Sequence, residues 1–195
     1  WKVNAPIKNS HGGLTWNIMH DNKKPRIQVG RDESNLRVPF GPSRFSETSK
    51  TCLDFGIADY QLDIIQFCQN VDDFVLDHVF KNVHEFFKKD PPSSLEELRK
   101  MYNGLLVQKD GYNTMRTKLN KCPVFVITDK GILKGDINDC QPGSHAVVIL
   151  CFRSLWVMGN KFGLSVFTEA LQVWPKEDER METLFNTDMG IGFKN

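Results

Sequence analysis

Three short runs near the start of the chain alternate apolar and polar positions: Leu14 to Met19, Arg26 to Val29 and Asn35 to Val38. Successive side chains of a strand point to opposite faces, so a period of two predicts strands, and the Gly-Gly, Asn-Lys-Lys-Pro and Gly-Arg-Asp segments around them predict turns. Thr51 to Ile57 repeats the alternation after a loop rich in Pro, Gly and Ser. The period then changes. Ile64, Phe67/Cys68, Val71, Phe74/Val75, His78/Val79, Val83 and Phe86/Phe87 recur every three or four residues, which predicts one long amphipathic helix. Asp63, Asp72, Asp73 and Asp77 enrich its first part, Lys88 and Lys89 close it as the helix dipole favours, and Asp90-Pro91-Pro92 stops it. Ser93-x-x-Glu96 and Ser94-x-x-Glu97 each fit a capping box and predict a second helix running to about Val107.

A basic, polar connection from Lys109 to Lys121 comes next, and strand character returns at Pro123 to Thr128 and at Gly131 to Lys134. His145 to Phe152 and Leu164 to Trp174 predict two long strands joined by a hairpin with Met158-Gly159-Asn160-Lys161 at its tip. A short helix is expected around Glu179 to Phe185. Strands, then helices, then strands suit a mainly β fold, α+β by content: an OB-type Greek-key barrel, in which a helix ordinarily links the third and fourth strands. The expected organisation is one domain over 1–195, a helical hairpin inserted at 59–108, and a charged C-terminal tail at 175–195. A β-sandwich with a helical insertion is the alternative.

Composition narrows this reading. With 195 residues, 40% of them hydrophobic and 25% charged, the chain can bury a core and is not of disordered type. Its longest apolar stretches, such as Ala146 to Phe152, fall far short of the roughly 20 residues of a membrane span, so no membrane partner is expected. Trp1 stands where an initiator Met would be, which leads to the expectation of a longer parent chain. Cys52, Cys68, Cys122, Cys140 and Cys151 form no C-x-x-C pair and read as reduced, mostly buried thiols; with no N-x-S/T acceptor, a cytosolic or nuclear setting fits. The net charge of +1 conceals a segmental bias: residues 1–53 carry nine Lys/Arg against four Asp/Glu, 54–100 five against ten, 101–161 eight against four, and 162–195 three against six.

Catalytic motifs do not emerge. There is no G-x-S-x-G, no P-loop and no dinucleotide fingerprint, and a strand rather than a helix succeeds Gly12-Gly13. His78 and His84 lie six apart on the long helix and point to different faces; His78 falls on the apolar stripe and reads as a core histidine. Asp136-Ile137-Asn138-Asp139 lacks the Gly and distal Glu of a calcium loop and reads as a solvated loop. The reading is therefore of a protein without enzymatic activity, metal or cofactor.

Basic and aromatic residues interleave in two segments, the combination a single-strand binder needs to stack bases and follow phosphates. One is Arg37, Phe40, Arg44 and Phe45, in a loop broken by Pro39, Gly41 and Pro42. The other is Arg153, Trp156, Lys161 and Phe162, flanking the hairpin tip. Tyr112, Arg116, Lys118 and Lys121 form a weaker third group. Each has a plainer reading, as a plug of the barrel end, cross-strand packing or a solvated surface.

The combination Val38-Pro39-Phe40-Gly41-Pro42-Ser43 with Ser154-Leu155-Trp156-Val157 and Lys161-Phe162-Gly163-Leu164-Ser165 resembles the phage-type OB-fold single-stranded-DNA-binding proteins of large cytoplasmic DNA viruses, African swine fever virus among them. This resemblance implies non-sequence-specific binding of single-stranded DNA in viral replication, recombination or repair in the host cytoplasm. It puts Phe40, Trp156, Lys161 and Phe162 at motif positions. RNA and replication proteins are further partners in this reading. The phage relatives end in an acidic tail finishing in Phe, from which Gly192-Phe193-Lys194-Asn195 departs. The alternative is a protein-interaction or structural virion component that docks through the acidic hairpin and the charged tail.

Overall fold

The computed structural model describes residues 1–8, 13–31, 35–47, 49–88, 90–109 and 112–176. Along the chain lie β1 (Lys2–Lys8), β2 (Leu14–Met19), β3 (Arg26–Val29), β4 (Leu36–Arg37) and β5 (Cys52–Ile57), then α1 (Leu62–Lys81), α2 (Val83–Phe86) and α3 (Leu95–Met101). After these come β6 (Tyr102–Asn103), β7 (Val107–Lys109), β8 (Tyr112–Leu119), β9 (Val124–Thr128), β10 (Gly131–Gly135), a 3-10 turn (Ile137–Asp139), β11 (His145–Met158) and β12 (Lys161–Trp174). The helix expected around Glu179 to Phe185 lies outside the described residues, as does most of the tail at 175–195.

Pairing runs β11-β4-β5-β8-β12 and closes through β11–β12, which makes a five-stranded barrel. All its contacts are antiparallel except β8–β12, where Phe167 pairs with Lys118 in parallel. That is the OB arrangement, with β3 continuing the first barrel strand along β11. The helices fall within the insertion expected at 59–108, but not at the connection where an OB fold ordinarily carries its helix. They lie between β5 and β8, the second and third barrel strands, whereas the third-to-fourth connection carries the β9–β10 hairpin and the 3-10 turn. There Asp136 Oδ1 accepts from Asn138 N (2.6 Å) and Asp139 Oδ2 from Asp136 N (2.7 Å), so both carboxylates cap a turn.

β11 and β12 are long enough to build two structures. Their barrel halves enclose the first core with Leu53, Phe55, Ile57, Met115, Leu150, Phe152, Val166 and Leu171. Their outer halves, joined by β2 through Leu155↔Trp16, form a plate against the helices, with Trp16, Ile18, Leu155 and Phe162 facing Val75, Leu76, Val79, Phe86, Phe87 and Leu98. The apolar stripe of α1 serves both cores: Cys68 and Val71 belong to the first, Val75, Leu76 and Val79 to the second. The predicted single helix is interrupted at Asn82, whose Nδ2 donates to the His78 carbonyl (2.8 Å). This bond satisfies a carbonyl freed at the helix end and turns the chain so that Phe86 reaches Trp16, 4.2 Å between ring centroids.

Of the two overlapping capping boxes, Ser94 forms the cap: its hydroxyl accepts from Glu97 N (3.2 Å), and Glu97 reaches back to Ser93 N (2.8 Å) and Ser93 Oγ (3.0 Å). α3 stops at Met101 rather than near Val107. Half-buried Asp72 shapes the chain beyond α3, accepting from the Tyr102 hydroxyl (2.7 Å) and from Leu105 N (3.2 Å), and draws it along α1 into short strands. Burial holds the Asp72 carboxyl above its ordinary range, opposed by these two donors.

Candidate nucleic-acid interface

The basic segment read from the sequence as a connection is largely strand β8. Its alternate residues Met115, Thr117 and Leu119 face the interior, so Tyr112, Thr114, Arg116 and Lys118 face outward. Directly paired residues share a face, and the register extends this surface: Gly56, Asp54 and Cys52 of β5 lie opposite Thr114, Arg116 and Lys118. Arg37 pairs with Gly56, and its guanidinium lies 6.0 Å from the centre of the Tyr112 ring. On the other side Lys118 is succeeded by Phe167 of β12, then Cys151 of β11 and Arg26 of β3.

The same face continues along the hairpin. Ser154 pairs with Ser165 and Trp156 with Gly163, each outward, because Leu155, Phe162 and Leu164 take the side of the helices. Trp156 is half-exposed. Its indole lies flat enough on Gly163 that a Cβ there would come within 2.8 Å of it and 3.1 Å of the Asn103 carbonyl. Gly159 has φ +60° at the first central position of the hairpin turn, where a II′ turn needs positive φ.

Two β-bulges shape the middle of this surface. Arg153 is the extra residue on β11 and Glu169 the extra residue on β12. The bulges aim both side chains at one place: Glu169 accepts from Arg153 Nη2 (3.4 Å) and holds a close ion pair with Arg26 Nε. Burial pushes the Glu169 carboxyl up, but its bonds to Arg26 and Cys151 and the charges of Arg26 and Arg153 hold it below the usual range. The Arg153 guanidinium sits 4.1 Å from the Phe167 ring centre and Lys50 Nζ 4.6 Å from it. Arg116 is neutralised in a two-pronged pair with Asp54 (2.7 and 2.8 Å).

Of the residues predicted from the sequence, Arg37, Tyr112, Arg116, Lys118, Arg153 and Trp156 are brought to one outer face. The loop after β4 carries Phe40, 43% exposed, Arg44, whose Nε donates to Thr51 Oγ1 (2.7 Å), and Phe45, fully exposed at 100%. Lys121 is exposed just past the end of β8, with φ +50°. Lys161 is tied to the helices through a bond from its Nζ to the Lys100 carbonyl (2.8 Å).

Phe162 corrects the expectation. It is completely buried, with Tyr102 and Phe87 rings at 5.0 and 5.7 Å, and its face is closed to any base. Hairpin alternation puts Phe162 and Trp156 on opposite sides, and the helices cover the side that holds Phe162. Sequence reasoning missed Lys50, Phe167, Arg26 and Glu169. Counted back by twos from the inward Leu171 and Val173 of β12, Phe167 reads as one more core residue; the bulge at Glu169 shifts the alternation, so that Phe162, Leu164 and Val166 point inward and Phe167 faces out.

No family model matches this sequence, and no curated protein sequence matches it. Three solved structures of the single-stranded DNA-binding protein from bacteriophage Enc34 are similar. The first, a C-terminal truncation, has a TM-score of 0.50 at 9% identity, covering 91% of this chain and 97% of that one. The second, of the phage protein itself, has 0.49 at 10%, covering 96% and 100%. The third, its complex with single-stranded DNA, has 0.44 at 9%, covering 90% and 96%. At such identity the first of these is a likeness of fold.

Proposed function

We propose that this protein binds single-stranded DNA without sequence specificity, laying the strand across the outer face of β5, β8 and the β11–β12 hairpin. One observation carries the reading: Arg37, Tyr112, Arg116, Lys118, Arg153 and Trp156, drawn from three separate stretches of sequence, share one solvent-facing side of a closed barrel. Rings and cations interleaved on such a surface supply stacking and phosphate contacts together. The fold likeness to a phage protein named for single-stranded DNA binding supports it. The motif resemblance extends the proposal to viral DNA replication, recombination or repair in the host cytoplasm. The role is one of binding, not catalysis.

Fluorescence anisotropy with a labelled oligo-dT, an equal-length oligo-rU and a duplex, across a salt series, tests the proposal. Oligo-dT should bind in preference to duplex, and its affinity should fall steeply with salt. Tyr112→Ala and Trp156→Ala should each weaken it by about 1–3 kcal/mol. Absence of binding at low salt, or indifference to both substitutions, would overturn the reading.

A further inference from the structure

We infer that Lys50, Lys118 and Arg153, seated on and around the Phe167 ring, form a dedicated subsite for one backbone phosphate group. This rests on the binding reading above and assigns a chemistry to one part of that surface. Phe167 faces outward yet is only 6% exposed, because Lys50 and Arg153 lie over it at 4.6 and 4.1 Å. A base would have to displace two cations to stack there, so this aromatic is a support for charges, unlike the 53% exposed Tyr112. Lys118 flanks the ring through the β8–β12 register.

The charges do not balance. Among the described residues no carboxylate pairs with Lys50 or Lys118, Asp54 is engaged by Arg116, and Glu169 is shared between Arg26 and Arg153. The Nε of Arg153 is buried without a hydrogen-bond partner. Crowding shows on the lysine: burial first, then the charges of Arg153 and Lys118, pull the Lys50 amine below its ordinary value. A phosphate oxygen among the three cations answers the unmatched charge of Lys50 and Lys118 and their crowding against Arg153. It meets the unmatched charge and takes the planar recognition that guanidinium groups give to phosphate. The opposed bulges at Arg153 and Glu169 are the local device that turns the arginine onto the ring.

The test compares oligo-dT with an abasic strand of equal length, which offers phosphates without bases. Lys50→Ala and Lys118→Ala should each weaken both strands by the same several-fold factor and make the slope of log affinity against log salt shallower by about 0.7. Tyr112→Ala should weaken oligo-dT alone. If wild type binds oligo-dT but the lysine variants keep its salt slope, the subsite is overturned and the wider binding reading stands; if wild type binds neither strand, both fall. Inorganic phosphate at matched ionic strength distinguishes the source of the group. Competition no stronger than chloride marks a subsite for a strand, and extra competition that Lys50→Ala abolishes marks one that also takes free phosphate.

Discussion

Replacing Phe162 separates a core residue from a binding residue at a position where sequence motif and structure disagree. The ring has no accessible surface, and it packs edge-on to Phe87 (5.7 Å, 78°) and tilted against Tyr102 (5.0 Å, 39°). Truncating a buried Phe to Ala costs about 3–5 kcal/mol, of which each aromatic pair accounts for ~0.5–1.5. Sheet closes one side of this site and helices the other, so collapse into the void is limited and a loss near ~4 kcal/mol is expected for Phe162→Ala. That is a large part of the ~5–15 kcal/mol of a typical domain, so Phe162→Leu, at about 1.5 kcal/mol, is the variant to carry into binding assays. Urea unfolding followed by tryptophan fluorescence should show a lower midpoint with an unchanged slope. Folded Phe162→Leu should bind oligo-dT within about twofold of wild type, since a residue walled off by helices makes no strand contact. A Leu variant with wild-type stability and tenfold weaker binding would refute the reasoning.

Within the barrel, the hydroxyls of Thr117 and Thr168 lie 2.7 Å apart, and Thr117 Oγ1 also lies 3.3 Å from the Leu53 carbonyl. Thr117→Val should therefore strand Thr168 and cost ~1–3 kcal/mol, more than Thr168→Val, while the double variant should cost less than the sum in a urea-unfolding cycle. His78 lies between Phe74 and Phe86, and burial pulls its pKa below 6.5 despite Glu85 and Asp77. The unfolded chain then binds the proton more readily, so stability should be full above pH ~6.5 and fall as pH drops below it; His78→Gln should flatten that limb of a stability-versus-pH curve. Gly163→Ala should push the Trp156 indole off the strand, seen as an emission shift and a loss of ~1–3 kcal/mol. Cys68 and Cys140, with thiols pushed up to about 12 by burial, should stay silent to a thiol reagent at pH 8 until the protein unfolds.

Several elements were legible because local pattern and tertiary role coincide. The alternation in Leu14 to Met19, Arg26 to Val29 and Thr51 to Ile57 corresponds to β2, β3 and β5, whose one face is apolar and buried. β1 and β8 were not legible. β1 lies at the edge with almost every residue exposed, and nothing selects apolar side chains there. β8 is central, but its inward Thr117 is matched across the barrel by Thr168, and that polar pair erases the alternation the pattern depends on.

By itself the sequence determined where the chain can turn, which stretches carry a buried face, and that basic and ring-bearing residues cluster in a few segments. Only the tertiary structure decided which side of each strand meets water. Helices packed on one side of the β11–β12 hairpin bury Phe162 and leave Trp156 half-exposed, though both flank the same tip. Parallel pairing of β12 with β8 sets Phe167 beside Lys118, residues 49 positions apart in the chain. Strand alternation is a local property with two equivalent faces, and the choice between them rests on long-range packing that no short window of sequence contains.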